Sequence, residues 1–270
     1  MKIGNREFDV KNNCYIMGIL NVTPDSFSDG GKWNNLERAK QHTADMINEG
    51  ASIIDIGGES TRPGHVQISV QEEIDRVVPA IEMVKKNFDI PVSIDSYKSE
   101  VVEAALKAGA DMVNDIWGLK YDRRIAELIV RYNVPCCLMH NRKKAEYECF
   151  QRDMIQDIRD SLTIAKEAGI PDNKIILDPG IGFGKTYEQN LIAINNLEWL
   201  TELGYPVLLA TSRKSVIGIT LNLPADQRVE GTIVTTVTGV MKKAAFVRVH
   251  DVRENYRTIL MTQAILREGK

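Results

Sequence analysis

The sequence lacks any long apolar run and any cysteine spacing typical of a metal site. No stretch approaches the ~20 consecutive apolar residues that a membrane-spanning helix needs, and the first residues contain no apolar core of a signal peptide. The four cysteines, at positions 14, 136, 137 and 149, form neither a CxxC pair nor a group with histidines. We therefore expect a cytoplasmic location, and we expect Cys136 and Cys137 to be buried thiols without a chemical role.

An excess of charge of either sign is also absent. The 34 Lys and Arg residues nearly balance 37 Asp and Glu residues, which leaves a net charge of -3 over 270 residues. This balance provides no electrostatic footprint for nucleic acid or an anionic membrane, so any anionic ligand must be held by a few local cations. No linker rich in Pro, Gly or Ser divides the chain. We therefore predict one domain spanning residues 1–270.

Short β-rich runs alternate with segments of helical periodicity along the whole chain. Four of the helical segments end in a glycine, at positions 50, 109, 169 and 204, where a left-handed helix end is expected. Alternation of strand and helix implies parallel pairing, and eight units favour an α/β fold of the closed (β/α)8 TIM-barrel type over an open doubly wound sheet. The predicted strands are residues 15–20, 52–56, 91–94, 111–113, 134–139, 174–177, 206–210 and 246–249.

Polar side chains follow the apolar run of each predicted strand, as the barrel interpretation requires. Active sites of such barrels lie at the carboxyl ends of the strands, so these residues should collect around one opening. A single polar residue at a strand end is commonly a cap or a turn, but here the pattern holds for all eight strands. The residues are Asn21, Asp55, Asp95, Asn114 with Asp115, His140, Asp178, Arg213 with Lys214, and Arg248 with His250.

Two groups of these side chains indicate chemistry. Arg248 and His250 are two residues apart and share a strand face, which suits a phosphate or pyrophosphate. The alternative is an ion pair between Arg248 and a neighbouring Asp. A second group, Asp95, Asn114 and Asp178, combines two carboxylates with an amide. It could bind the N–H donors of an amino-oxo pyrimidine, with Lys214 at the ring, or it could hold a divalent metal. Spacing alone leaves both possibilities open.

Three glycine-containing segments remain. Residues 178–186, DPGIGFGKT, are not a phosphate loop, because Pro179 stands where that motif needs Gly, and GxGxG departs from the dinucleotide fingerprint. We predict a tight turn that holds Phe183 close to Asp178. Residues 17–31 and 57–64 contain turn-forming residues beside charged ones, which predicts two mobile loops that gate the site, with Glu59 orienting Arg62.

The motifs NVTPDSFSDGG, ESTRPG, IDSYK, NDIWG, DPGIGFGKT, SRKS and RVHDV occur together in this order. In these motifs the chain resembles the dihydropteroate synthase family over essentially its whole length. That resemblance implies a transferase of folate biosynthesis on a pterin-binding TIM barrel, which condenses hydroxymethyl-dihydropterin pyrophosphate with para-aminobenzoate and releases pyrophosphate. It further implies Mg²⁺ as cofactor, a homodimer, and a pocket that sulfonamides occupy.

The resemblance also assigns roles to residues, and it favours the heterocycle over the metal for the acidic group. The implied pterin ligands are Asp95, Asn114, Met139, Asp178, Phe183, Lys214 and Arg248. The implied pyrophosphate contacts are Asn21, which also helps bind Mg²⁺, with Thr61, Arg62, Arg248 and His250. The implied para-aminobenzoate pocket consists of Phe27, Thr61, Arg62, Pro63 and Ser215.

An aromatic amine is already neutral near pH 7, so this reaction needs no strong general base. The difficulty is the leaving group, which Mg²⁺, Arg248 and His250 would neutralise. We expect a dissociative substitution in which Asp29 and Asp95 stabilise a cationic pterin, and we count Lys214 with them as catalytic. Two alternatives remain: a pterin-dependent methyltransferase on the same barrel, and a pterin-binding barrel without activity.

Overall fold

The computed structural model describes residues 1–23, 32–59 and 67–268, and within the helix that begins at residue 32 it describes side chains from residue 36 onward. The described strands are β1 (Lys2–Ile3), β2 (Arg6–Glu7), β3 (Tyr15–Asn21), β4 (Ala51–Gly57), β5 (Val92–Asp95), β6 (Met112–Asp115), β7 (Cys136–Met139), β8 (Ile175–Asp178), β9 (Leu208–Leu209) and β10 (Phe246–Val249). The described helices are α1 (Lys32–Glu49), α2 (Val70–Asn87), α3 (Ser99–Lys107), α4 (Arg124–Tyr132), α5 (Phe150–Ala168), α6 (Tyr187–Asn195), α7 (Glu198–Thr201), α8 (Ser215–Leu221), α9 (Val229–Met241) and α10 (Val252–Glu268).

Eight parallel strands form the predicted barrel. Their order is β8-β7-β6-β5-β4-β3-β10-β9, and the ends of this sheet meet where Leu177 bridges Val207 in parallel. The amide of Leu177 donates to the carbonyl of Pro206 over 2.9 Å, which completes the ring. The sequence-based prediction of a (β/α)8 barrel is therefore confirmed.

Strand bounds differ from the predicted ones where proline or short pairing intervenes. The run 206–210 contains a strand of two residues, Leu208–Leu209, because these two residues pair with β10 while β8 reaches the run only through the single bridge at Val207. The run 134–139 begins its strand at Cys136, since Pro135 has no N–H to donate and only its carbonyl joins the ladder. The helix-ending glycines behave as predicted; Gly169, for example, has φ +91° and nothing within 4 Å of a Cβ position, so backbone conformation alone selects glycine there.

Apolar side chains fill two regions, one between strands and helices and one inside the barrel. The inner cluster contains Met17, Ile53, Met112 and Phe246, which face inward because alternate strand residues point to the same side. Cys137 belongs to it, while Cys136 lies in the outer core, so both thiols are buried as expected. Burial raises the pKa of Cys137 well above its ordinary value, which keeps the thiol protonated.

The amino-terminal hairpin closes the lower end of the barrel. Strands β1 and β2 pair antiparallel, and Ile3 and Phe8 are buried in the inner cluster. The Phe8 ring lies 4.9 Å from that of Tyr15 and 5.8 Å from that of Phe246, measured between centroids. Among the described residues, this end of the barrel is closed, and the carboxyl ends of the strands are left for a ligand to enter. Among the described helices, none is long and apolar enough to cross a membrane.

Candidate active site

The strand register brings four of the described strand ends to one level. Asn21 is paired with Gly57, Gly57 with Asp95, and Asp95 with Asn114 across neighbouring strands. A Cβ on Gly57 would lie 3.6 Å from both Asn21 Oδ1 and Asp95 Oδ2, so the missing side chain leaves open space between them. Sequence reasoning had placed these residues at strand ends, and the parallel register places them side by side.

A buried ion-pair network lies below and across this level. Arg248 Nε donates to Asp55 Oδ2 over 2.5 Å, and Arg248 Nη2 donates to Asp95 Oδ2 over 2.7 Å. Asn114 Nδ2 donates to the same Asp55 oxygen over 3.1 Å. Arg248 is thus ion-paired with two carboxylates here, which is the alternative that the sequence left open for it. Its contact with a pyrophosphate stays a prediction.

Two carboxylates sharing one guanidinium leave negative charge uncompensated inside the barrel. Burial raises the pKa of Asp95 to about 7; Arg248 opposes that rise, whereas the nearby charge of Asp55 adds to it. Within the described part of the chain, Asp55 Oδ1, Ser93 Oγ and Asp95 Oδ1 are buried and have no hydrogen-bond partner. Buried polar atoms rarely lack partners, so these oxygens indicate a ligand that carries hydrogen-bond donors.

Asp178 and Lys214 form the opposite wall with the glycine-rich turn. Asp178 Oδ1 accepts a hydrogen bond of 2.6 Å from the amide of Gly180, and burial raises the pKa of its carboxyl. Lys214 Nζ donates to the carbonyl of Ile181 over 2.6 Å and lies 5.0 Å from the centroid of the Phe183 ring. Desolvation lowers the pKa of Lys214 to about 8, against the attraction of Asp178. Met139 packs in the same apolar cluster as Phe183.

The remaining described candidates lie at the mouth. His250 Nδ1 is 3.0 Å from Ser212 Oγ, and that hydroxyl also accepts from the His250 amide over 3.1 Å. Ser215 is the first residue of α8 and is exposed. His250 therefore has a different polar partner from Arg248, although the two share a strand face. The predicted candidates Phe27, Asp29, Thr61, Arg62 and Pro63 lie outside the described residues, and so does the partner proposed for Glu59.

Glu59 belongs to a buried cluster among the described residues. Lys98 Nζ donates to Glu59 Oε2 over 2.6 Å and to Glu73 Oε2 over 2.8 Å. It also donates to the carbonyl of Ile68 over 2.9 Å, and the Tyr97 hydroxyl donates to Glu59 Oε1 over 2.6 Å. This ion triad, Glu59–Lys98–Glu73, ties residue 59 to residue 68 and to α2. This triad is not among the features predicted from the sequence.

Sequence reasoning also missed the central role of Asp55. It noted Asp55 as a polar strand-end residue but assigned it no ligand, whereas the structure places it between Arg248 and Asn114. The signal was available in the alternation of Ile53, Asp55 and Gly57, which puts Asp55 on the same inward face as the paired strand-end residues. Asp55 is the one charged residue in the run SIIDIGG, and strand alternation places its side chain inside the barrel.

A family model described as pterin binding enzyme matches residues 17–250. The chain belongs to the pterin-binding enzyme family. Among curated members, it is 60% identical over 268 residues to a dihydropteroate synthase of Clostridium beijerinckii, covering 99% of this chain and 100% of that one. It is 52% identical to a dihydropteroate synthase of Bacillus subtilis, covering 96% and 91%.

Solved structures of pterin-binding enzymes agree with the whole fold. The dihydropteroate synthase of Clostridium difficile, determined in the presence of pteroic acid, superposes with a TM-score of 0.94 at 51% identity and covers 97% of this chain and 100% of that one. The enzyme of Xanthomonas albilineans, determined with 4-aminobenzoic acid, gives a TM-score of 0.90 at 38% identity with 94% of each chain covered. The family resemblance drawn from the motifs is therefore confirmed.

Proposed function

We propose that this chain is a dihydropteroate synthase that joins hydroxymethyl-dihydropterin pyrophosphate to para-aminobenzoate. The observation that carries the proposal is the polar layer inside an otherwise apolar barrel, where Asp55 and Asp95 each have a buried oxygen without a partner in the described part of the chain. The N–H groups on one edge of a pterin ring would satisfy such acceptors. The relatives at 52–60% identity carry the same name.

The pterin would bind between the two walls of the barrel. Asp95, Asn114 and Asp178 would meet its polar edge, Lys214 its carbonyl or ring nitrogen, and Met139 with Phe183 its flat face. The charges in the site suit a ring that becomes positive as its C–O bond breaks. Asp95 would lie beside that ring, and Asp29 would add a second carboxylate there, so that the substitution is dissociative.

Pyrophosphate would leave at the mouth of the barrel. Arg248 has five N–H donors, of which the carboxylates of Asp55 and Asp95 use two in the described hydrogen bonds, so others are available for an anion. His250 lies two residues further toward the solvent. Thr61 and Arg62 are proposed as further anion contacts, and Phe27, Pro63 and Ser215 as the aminobenzoate pocket.

The donor atoms present fit a Mg²⁺ ion that arrives with the pyrophosphate. Mg²⁺ is commonly held by one or two protein oxygens together with substrate phosphates, and Asn21 Oδ1 offers one oxygen beside Asp95 across Gly57. When bound, Mg²⁺ would neutralise charge that develops on the leaving group. Asn21 would position the pyrophosphate with its metal, and Arg248 would bind the pyrophosphate once the C–O bond has broken.

The direct test is release of pyrophosphate from the purified protein. We expect release only when the pterin pyrophosphate, para-aminobenzoate and Mg²⁺ are all present, and loss of release when EDTA removes the metal. Release without the amine would indicate a hydrolase. A well-folded sample that binds the pterin but releases nothing under any of these conditions would contradict the assignment and favour a binding protein.

Asp29→Asn tests the dissociative mechanism separately. If Asp29 stabilises charge that exists only in the transition state, turnover should fall far more than pterin affinity. Asp45→Asn, on an exposed face of α1, is the matched control and should change neither quantity. Equal losses in turnover and pterin binding at Asp29 would show that it acts in ground-state binding.

We further propose a homodimer that forms through α9 and α10. These helices pack on each other and leave large apolar side chains exposed, among them Val234, Met241 and Met261 at more than 60% each. Met261→Glu should convert a dimer to a monomer in light scattering, whereas Val130→Glu on α4 should not.

The single domain over residues 1–270 and the cytoplasmic location also remain proposals. Limited proteolysis would test the first, and cell fractionation would test the second.

A further inference from the structure

A row of buried, hydrogen-bonded side chains lies behind the glycine-rich turn, and the proposed reaction does not use it. Asp157 Oδ2, on α5, is 2.9 Å from His140 Nε2, and His140 Nδ1 is 2.7 Å from Lys185 Nζ. Lys185 then donates to the carbonyl oxygens of Gly180 over 2.9 Å and Phe183 over 3.1 Å. These hydrogen bonds therefore connect an outer helix to the turn that carries Phe183.

The hydrogen-bond geometry fixes the protonation state of each member. A lysine ammonium has three donors and no acceptor, and Lys185 faces three acceptors: one imidazole nitrogen and two carbonyl oxygens. His140 can accept at Nδ1 only if it is neutral with its proton on Nε2, where Asp157 accepts it. These contacts are satisfied with Asp157 ionised, His140 neutral and Lys185 protonated. An imidazolium beside a neutral amine would satisfy them too, but burial lowers the pKa of His140 to about 4 and that of Lys185 only to about 7, which places the shared proton on Lys185.

The turn itself is held on the side of His140 as well. Gly180 and Gly184 have positive φ values of +66° and +52°, and a Cβ on either residue would overlap the backbone of His140 or Arg142. The Tyr147 hydroxyl donates to the carbonyl of Gly184 over 2.6 Å. On the other side, Lys214 donates to the carbonyl of Ile181. Successive carbonyls of the turn are thus held by two lysines from opposite sides, of which only Lys214 faces the proposed pterin.

We propose that Lys185, oriented by His140 and Asp157, is a positioning residue that fixes the turn from Gly180 to Phe183 for pterin binding. This inference rests on the proposed function, because it takes Phe183 and Asp178 as part of the pterin pocket. Without Lys185, the carbonyl of Phe183 would lose its ammonium donor, the carbonyl of Gly180 would keep only the amide of Phe183, and the turn could rearrange. The Phe183 ring would then no longer be held at 5.0 Å from Lys214 Nζ.

The pKa values make His140 the weaker base of the two, so that Lys185 holds the proton between them. Burial lowers the pKa of His140 to about 4, which keeps it neutral near pH 7, although its bond to Asp157 opposes the shift. Burial also lowers the pKa of Lys185 to about 7, opposed first by the charge of Asp178, while the cations of Lys214 and Lys120 add to the lowering. Lys185 and Asp178 therefore stabilise each other's charged forms across the turn.

The test compares pterin binding in Lys185→Met and Lys120→Met, two variants that each remove a half-buried ammonium. Lys120 Nζ donates to the backbone carbonyl of Asp157 over 3.2 Å but does not contact the turn. We expect Lys185→Met to raise the Kd of the pterin pyrophosphate by about tenfold, since buried carbonyls lose a charged donor. The KM of para-aminobenzoate should change by less than about twofold. Lys120→Met should leave both constants within about twofold of the parent protein.

Two further measurements separate positioning from general damage. Nitrogen NMR of the parent protein should show His140 protonated on Nε2, with Nδ1 hydrogen-bonded, and Lys185→Met should lose only the bond at Nδ1. If Lys185→Met does not fold, His140→Phe still removes one anchor of the ammonium and should weaken pterin binding selectively. An unchanged pterin Kd in a folded Lys185→Met, or in His140→Phe if that is the variant that folds, would overturn the proposal. A parent protein that binds no pterin would instead overturn the proposed function.

Discussion

Replacing Lys98 by Met should destabilise the protein strongly, because it removes the cation from the ion triad Glu59–Lys98–Glu73. The side chains of Glu59 and Glu73 are 2% and 1% exposed, and that of Lys98 is 8% exposed. Removing one member of a buried ion pair typically costs about 3–5 kcal/mol, because the partner charge stays buried without compensation. Met preserves most of the volume of the lysine stem, so cavity formation contributes little.

The pH dependence of this loss follows from the carboxylates. Burial alone would raise the pKa of Glu59, but hydrogen bonds from Lys98 and Tyr97 outweigh it and hold that pKa below its ordinary value. A depressed pKa contributes stability that is present above the unfolded-state value and is lost as pH falls through the folded-state value. The difference between parent and Lys98→Met should therefore be largest near pH 7 and should shrink below about pH 4.

Urea denaturation followed by circular dichroism at pH 7 and at about pH 3 measures both effects. Lys107→Met is the matched control, since Lys107 pairs with Glu103 on the surface at 64% side-chain exposure, and exposed pairs are worth about 0.5 kcal/mol or less. In thermal melts the Lys98 variant should lose roughly 6–20 °C. If Lys98→Met were no less stable than Lys107→Met at pH 7, the triad would not be a buried charge cluster and the reasoning would fail.

Two further predictions concern the barrel interior. Asp95→Asn should flatten the pH dependence of the free energy of unfolding. Because the pKa of Asp95 is raised to about 7, the folded parent retains a proton that the unfolded chain releases. The parent should therefore lose up to about 4 kcal/mol of stability as pH rises from about 4 to 7. Urea titrations at pH 5 and pH 7.5 would detect this, and parallel curves for the two proteins would contradict it. Gly180→Ala should prevent folding or cost more than about 3 kcal/mol, since its Cβ would overlap the carbonyl of His140, whereas Gly169→Ala should cost only about 1–2 kcal/mol of backbone strain. Similar melting temperatures for the two alanine variants would refute that contrast.

The barrel was predictable because its signals are local and repeated. Each strand is an apolar run with a polar end, and each of four helices before a strand ends in a glycine of positive φ, such as Gly169. The amino-terminal hairpin was not predicted, because strands of two residues are too short to show alternation. Strand β9 was predicted too long for a similar reason, since pairing and not composition decides where it ends.

The site was predictable as a set of residues but not as a set of contacts. Asp95, Asn114 and Asp178 were found because barrel topology brings strand ends together wherever they occur in the chain. The pairing of Arg248 with Asp55 was not found, because the two residues lie 193 positions apart; alternation marks Asp55 as inward-facing but does not say which side chain it meets. Lys185 was read only as part of a glycine-rich motif, since its partner His140 follows a different strand.

The hairpin that carries Ile3 and Phe8 makes the barrel a blind tube with one opening. Any molecule that reaches the polar layer around Asp55 must come and go through the same mouth, past whatever is bound nearer the solvent. If two substrates react in such a tube, the one that binds deeper has to enter before the other. The joined product then has to leave with its outer part first. The order of events would then follow from a few residues at the opposite end of the barrel from the chemistry.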